Sequence, residues 1–367
     1  MEPEELIRRA SRHESFWGEK RRGEGAYIAV TAPNYKALAE SPAPGPVDSL
    51  EEKWFNVDYR VSEVIHAVKT TYYGGDAVPV AYAHYGPANL SGLLGADYRL
   101  TADTIFFGLN PLITDLTQPF SLAPQREGKL YKAIKRTAGE LAAAARGEFV
   151  VGIGDIGSNL DTLSALMTRE SLFVNMLENP ELIKGLISAV FELWREFYSE
   201  NRAWVTEKSP YMSAPSPFVY SGKWSKVESE TAVMISPAMF EEFIAPALAR
   251  QIDFLDKAMF NLDGSAYIKH LSQVMSLEGL HSIAYSPAVT FDPATGKAVR
   301  DFTDPDVLAI CARIQATDKK LVLQGIDCRQ VETLLKYISP DGVFLMVRCD
   351  NEKEAEEFTA YTAKWRR

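Results

Sequence analysis

Along this chain, short runs of β-branched and apolar residues alternate with longer stretches in which apolar residues recur every three or four positions. Short apolar runs read as strands and a period of 3.6 as helices, so the pattern predicts repeated βα units around a parallel sheet. The runs fall at 26–32, 77–84, 149–155, a broken stretch around SPFVYSG and TAVMI, 257–263, 280–285, 320–326 and 342–348, which makes eight candidate strands. Eight favour a (β/α)8 TIM-type barrel, although a doubly wound open sheet produces the same alternation.

The helical stretches carry their own start signals. In NPELIKGLISAVFELWREFY, Asn179 suits the N-cap, Pro180 suits the first turn, and Leu182, Leu186, Val190, Trp194 and Tyr198 recur on one face. Ser236 and Pro237 repeat the device, Asp327 with Gln330 reads as a capping box, and residues 352–367 read as a last helix with a cationic end. The first 25 residues read as a short amphipathic helical extension without a signal-peptide pattern. No linker divides the chain, so one domain over 1–367 is expected, with the Pro/Gly-rich 41–52 as an active-site loop after the first strand.

Composition narrows the classes. With 46% hydrophobic and 24% charged residues the chain is globular in balance. No apolar run reaches the roughly 18 residues of a membrane span, so a cytoplasmic protein is expected. A net charge of −10 and the lack of a dense Lys/Arg stripe argue against nucleic acid. Cys311, Cys328 and Cys349 are too scattered for a disulfide framework, which suits a reducing compartment.

Chemistry in a parallel α/β array concentrates at strand carboxyl ends. Those positions hold His84 and Tyr85, Asp155, the group Tyr220, Lys223 and Trp224, Asn261 with Asp263, Tyr285, Gln324 with Asp327, and Arg348 with Cys349. Asn261 and Asp263 lie two apart and share a face if the strand runs through both; Asp263 then acts as a base or cation ligand, or else caps the next helix. In GIGDIGSN the glycines either present N–H groups to an anion or simply let the chain turn, and Asp155 within it is a candidate site carboxylate. His84 is an acid, base or ligand candidate, or a structural histidine. His13, His66 and His270 sit on predicted helices and read as structural. Cys349 is either a thiolate ligand or a small buried hydrophobe.

The carboxyl half resembles the uroporphyrinogen decarboxylase superfamily, especially its corrinoid-dependent methyltransferase-like branch. The resemblance rests on ISPAMFEEFIAPALARQIDFL, on MFNLDGSAYIKHLSQVMSLEGLHSIAYSP, and on GDIGSNLDTLSALMTRESLFVNMLENPELIKGLI, about half the chain together. It implies the (β/α)8 barrel. The family's decarboxylases clamp substrate carboxylates with arginines in an R-Q-A-G-R-Y motif after the first strand, where this chain reads TAPNYKALAE, so a porphyrinogen substrate loses its charge-assisted bonds. The zinc-dependent methyltransferases carry His-x-Cys at the end of strand five and a further Cys after strand eight. Here those places hold Asn261, Asp263 and, approximately, Cys349.

The resemblance thus implies methyl transfer between a small compound or thiol and a corrinoid carried by a separate protein. Asp155, Asp263 and His84 are the expected acid–base or ligand groups. Asn261, Tyr220, Lys223, Trp224, Tyr285, Gln324 and Arg348 are the expected substrate-binding groups, and Asp263 with Cys349 a partial zinc set. Two alternatives stand beside it: decarboxylation of another acid, using Lys223, Arg348 and His84, and a non-catalytic small-molecule or cofactor binder.

Overall fold

The computed structural model describes residues 1–116, 121–291 and 298–365. In chain order the strands are β1 (Tyr27–Pro33), β2 (Thr71–Gly75), β3 (Val80–Tyr82), β4 (Tyr98–Leu100), β5 (Ile105–Phe107), β6 (Val150–Gly152), β7 (Met212–Ala214), β8 (Ser216–Tyr220), β9 (Trp224–Val227), β10 (Lys257–Asp263), β11 (Ser282–Ser286), β12 (Thr290–Phe291), β13 (Ala298–Val299), β14 (Lys320–Asp327) and β15 (Val343–Arg348). Helices separate most of the parallel ones, the longest among the described residues being Pro180–Val205, whereas β7 and β9 are joined through β8 alone. The fold is mixed α/β with a largely parallel sheet. Strands such as VFLMVR in β15 are buried on both faces, because side chains from the sheet's two sides are both covered.

The parallel strands form two arcs. One runs β9-β10-β11-β14-β15-β1 and the other β3-β6-β7. Each ends against an antiparallel strand: β2 pairs with β1, and β8 with β7. These two strands occupy the edges where β3 and β9 would have to join, so hydrogen bonding among the described residues does not close the ring expected from eight strands. The extra pairings come from TYYGG, which the apolar-run pattern does not include, and from SPFVY, which belongs to the broken stretch expected as strand four.

Most expected strands lie where the apolar runs put them, including β10 over all of 257–263. Strand three is shorter than expected, so Asp155 stands beyond its end. Ser236 caps its helix through the Met239 N–H, as its position suggested. Asn179 precedes Pro180 but gives no side-chain cap; its amide donates to Asn175 instead. The Asp327–Gln330 box does not form, since Asp327 accepts from the Arg329 N–H and Gln330 from Phe302. Arg366 and Arg367, the expected cationic end of the last helix, lie outside the described residues.

The amino-terminal helix Pro3–Phe16 packs across both arcs. His13 and Phe16 meet Phe218 of β8 and Phe344 of β15, and Phe16 also meets Tyr27 of β1. Arg9 donates to the carbonyls of Tyr73 and Ala77, and Arg12 pairs with Asp76. The contact depends on a bend at Gly75, whose φ is +61°. A Cβ there would collide with the Ile28 carbonyl oxygen, which already accepts from the Asp76 N–H. Gly75→Ala is expected to cost about 1–3 kcal/mol through this strained backbone. Chemical denaturation measures it, and an unchanged midpoint would refute the need for glycine.

Candidate active site

The segment after β6 is built for close approach. A Cβ on Gly154 would meet the Ala83 carbonyl oxygen at 2.6 Å, and one on Gly157, with φ +92°, would meet Ala88 Cα at 2.6 Å. The glycines therefore serve the turn, and the Gly157 N–H is taken by Asp155 Oδ1 at 2.8 Å. Ser158 caps the helix Asn159–Met167, and Asp161 in its first turn accepts from the backbone N–H groups of Glu230 and Thr231 at 2.9 and 2.8 Å. That clamp ties the end of β9 to the end of β6. It sets Glu228 and Lys226 beside Asp155 around a water-sized void of 10 Å³, walled by Trp194, Pro215 and Gln251.

Asn261 of β10 completes the group by donating to Glu228 Oε2 at 2.6 Å. Withdrawal from water and then the Glu228 charge push Asp155 up to about 7, against the pull of Lys226 and of the Gly157 and Ala88 N–H groups. Burial also raises Glu228, opposed by Lys226 and Asn261, with Asp161 and Asp263 adding repulsion. Two carboxyls drawn together and largely withdrawn from water resist ionising together, which favours a proton retained on the pair. Such a group can donate a proton to a leaving atom or take one back.

A second hollow, of about 260 Å³, lies between the two sheets. Ala29, Thr31, Thr71, Tyr73, Gln324 and Arg348 are among its lining. Among the described residues Arg348 has no carboxylate partner, while Ser216 donates to Gln324 at 3.5 Å. The β7–β8 hairpin stands between hollow and carboxyl pair: Pro217 lines the first and Pro215 the second.

The expected residues therefore divide. Asp155 and Asn261 converge with Glu228, and Gln324 and Arg348 line the hollow. Asp263 is exposed and 3.5 Å from Arg300, contributing only its charge to Glu228. His84 lies against Trp54, its carbonyl accepting from Arg60, and burial followed by the Arg60 charge lowers its pKa; it lines neither cavity. Tyr220 ends β8, whose antiparallel run carries it away from the carboxyl ends of the parallel strands, and Lys223 and Trp224 sit at the amino end of β9. Lys223 donates to the Phe254 carbonyl, and Trp224 packs beneath Trp17 and Phe218 while donating to Met212. Tyr285 is buried and pushed up to about 12, with Cys311, Asp304 and Asp306 near it, which places it toward the helix Pro305–Gln315 and away from both cavities. Its strand is apolar on both faces, so the sequence could not say which side it takes.

Lys226 and Glu228 were missed. The signal was present in WSKVE, a short alternation with two charges on one face, but the more apolar SPFVY just before it drew the strand assignment.

The zinc set of the resembling methyltransferases does not fit at β10. Asn261 spends its amide on Glu228, Asp263 faces Arg300, and Cys349 lies with Cys328 and Glu354, a group in which Asp263 has no part. No helix among the described residues is long and apolar enough to cross a membrane. No known family profile matches the chain, and no curated protein matches it by sequence. Among solved structures it is similar to a methyltransferase from Methanosarcina mazei, with a TM-score of 0.60 at 12% identity over 98% of this chain and 97% of that one, a likeness of fold.

Proposed function

We propose that this chain is a methyltransferase-like enzyme of the uroporphyrinogen decarboxylase superfamily. In this reading residues 1–367 form one (β/α)8-type domain whose ring is interrupted by β2 and β8, and residues 1–25 are its helical extension. The observation that carries the chemistry is that Asp155 and Glu228 line one small void just past the carboxyl ends of β6 and β9, where burial raises both carboxyls and the Glu228 charge raises Asp155 further. The likeness to a methyltransferase over nearly the whole chain supports the reaction class.

A methyl group bound to nitrogen, oxygen or sulfur leaves more readily when the heteroatom is protonated as the bond breaks. Asp155 would supply that proton. The bond from carbon to the heteroatom breaks, the carbon bonds to an acceptor, and Asp155 regains a proton from water. Lys226 and Asn261 would hold Glu228 in place, and Arg348 with Gln324 would bind a polar end of the donor in the hollow, from which the reacting end reaches Asp155 only when the β7–β8 hairpin between them shifts. Asp263 would add negative charge near the pair, and His84 would keep the neighbouring segment in place. The acceptor in this reading is a corrinoid on a separate protein, which supplies a strong nucleophile for carbon.

The test offers methylated amines, thioethers and aryl ethers to the purified protein with a reduced corrinoid acceptor, reading acceptor methylation spectroscopically. Transfer that Asp155→Asn abolishes supports the reading; no transfer from any donor, together with carbon dioxide release from candidate acids, would overturn it in favour of decarboxylation. With a carboxylate-bearing donor, Arg348→Ala is expected to raise KM by about 10- to 100-fold with kcat little changed, since the lost charge-assisted bond is made in ground and transition states alike. A fall in kcat alone would contradict that assignment.

A further inference from the structure

Cys328 and Cys349 come together by construction. β14 and β15 are parallel neighbours with Asp327 opposite Arg348, so the next residue on each is one of the two cysteines. Arg348 lines the hollow between the sheets. Strand alternation then turns Cys349 to the other face, toward the helices that follow β14 and β15. Both thiols are buried, at 7% exposure each. Glu354, in the first turn of the helix Glu352–Tyr361, supplies a third group, and one donor atom from each residue lies within 4.8 Å of the other two.

That carboxylate is held in place. The Glu354 N–H donates to Asn351 Oδ1 at 3.0 Å, and Glu354 Oε2 accepts from the Asp350 N–H at 2.7 Å. The neighbouring acids are otherwise engaged, Asp327 and Asp350 both pairing with Arg329. Two thiols and a carboxylate at one point make a donor set for a borderline-soft divalent ion, with the fourth tetrahedral position left to water.

We propose that Cys328, Cys349 and Glu354 form a binding site for a zinc-class divalent cation that ties the last helix to the ends of β14 and β15. The site lies apart from Asp155 and Glu228 and uses neither, so it stands or falls separately from the proposed methyl transfer. A free thiol carries its proton at neutral pH and binds a metal as the thiolate. Binding must release those protons, and affinity therefore rises with pH.

The experiment titrates the full chain, reduced and stripped with chelator, with cobalt(II) and then zinc. One equivalent of cobalt is expected to give a thiolate-to-metal charge-transfer band that zinc abolishes, and zinc is expected to raise the unfolding temperature. Cys328→Ser and Cys349→Ser should each remove the band and weaken zinc by more than the ~10–100-fold typical of losing an outer partner. Glu354→Gln, which keeps the helix cap acceptor, should weaken binding while leaving the band. Cys311→Ser should change nothing. Absence of the band in the reduced wild type, or a band lost with Cys311→Ser and kept in both other serine variants, would overturn the site. Circular dichroism separates a variant that fails to fold, and Glu354→Gln then decides, since zinc affinity unchanged in that variant also counts against it.

Discussion

Asp155→Asn is expected to make the protein more stable at pH 8 and to lower methyl transfer by about 10²- to 10⁴-fold, the range of a lost general acid. The Asp155 pKa is raised from 3.8 to about 7 by burial and by Glu228. A group raised in the folded state favours folding fully below its unfolded pKa, and that contribution disappears as pH rises through the folded one. Above pH 7 the native protein must therefore hold an ionised Asp155 next to Glu228 at a cost that the unfolded chain does not bear. Asparagine removes the charge and keeps an acceptor for the Gly157 N–H. The gain is up to about 3 kcal/mol, reduced from the full linkage value because water reaches this partly buried carboxyl. Denaturation at pH 5 and pH 8 checks it: the variant's advantage must grow with pH. A variant less stable than wild type at pH 8, or one that still transfers methyl groups at the wild-type rate, contradicts the role. Glu228→Gln, by removing the neighbouring charge, should lower the pH at which the activity falls off.

The second large effect is at His13 and carries the opposite sign. Nδ1 of this ring accepts from the Val219 N–H at 3.2 Å, so the proton lies on Nε2, which donates to the Asp76 carbonyl at 2.7 Å. Burial lowers its pKa to about 4, with the charges of Arg12 and Arg9 pulling the same way and Asp76 opposing. The unfolded chain then binds the proton more readily. His13 is fully compatible with the fold above pH 6.5, and stability is lost as pH falls from there toward 4. The loss is about 3 kcal/mol. Burial also lowers His281 to about 4, which adds in the same direction. Asp155 protonates across much of this window and stabilises, so in the wild type the two effects offset. The acid sensitivity should therefore be steeper in Asp155→Asn, and shallower again when His13→Gln is added to it. Urea midpoints at pH 7, 5.5 and 4.5 test this. Equal slopes for the single and double variants would show that His13 does not titrate with unfolding.

Several elements were legible because their physics is local. The period of apolar residues marks β1, β10, β14 and β15 and the helix Pro180–Val205, since each residue's face follows from its neighbours a few positions away. Polar residues at strand ends brought Asp155, Asn261, Gln324 and Arg348 onto one short set of candidates, and all four border a cavity or bond a group that does. His84, Asp263 and Tyr285 were equally plausible by that rule. Nothing local distinguishes a strand-end side chain that faces a hollow from one that faces a helix.

Thus the chain's order of residues by itself determined the alternating α/β pattern, the positions of most strands and the residues available at their carboxyl ends. Tertiary structure alone decided that β2 and β8 interrupt the ring, that Glu228 stands beside Asp155, and that Cys349 joins Cys328 and not Asp263. Strand pairing, withdrawal from water and the repulsion of two carboxyls arise between segments far apart in the chain, so no window of sequence contains them.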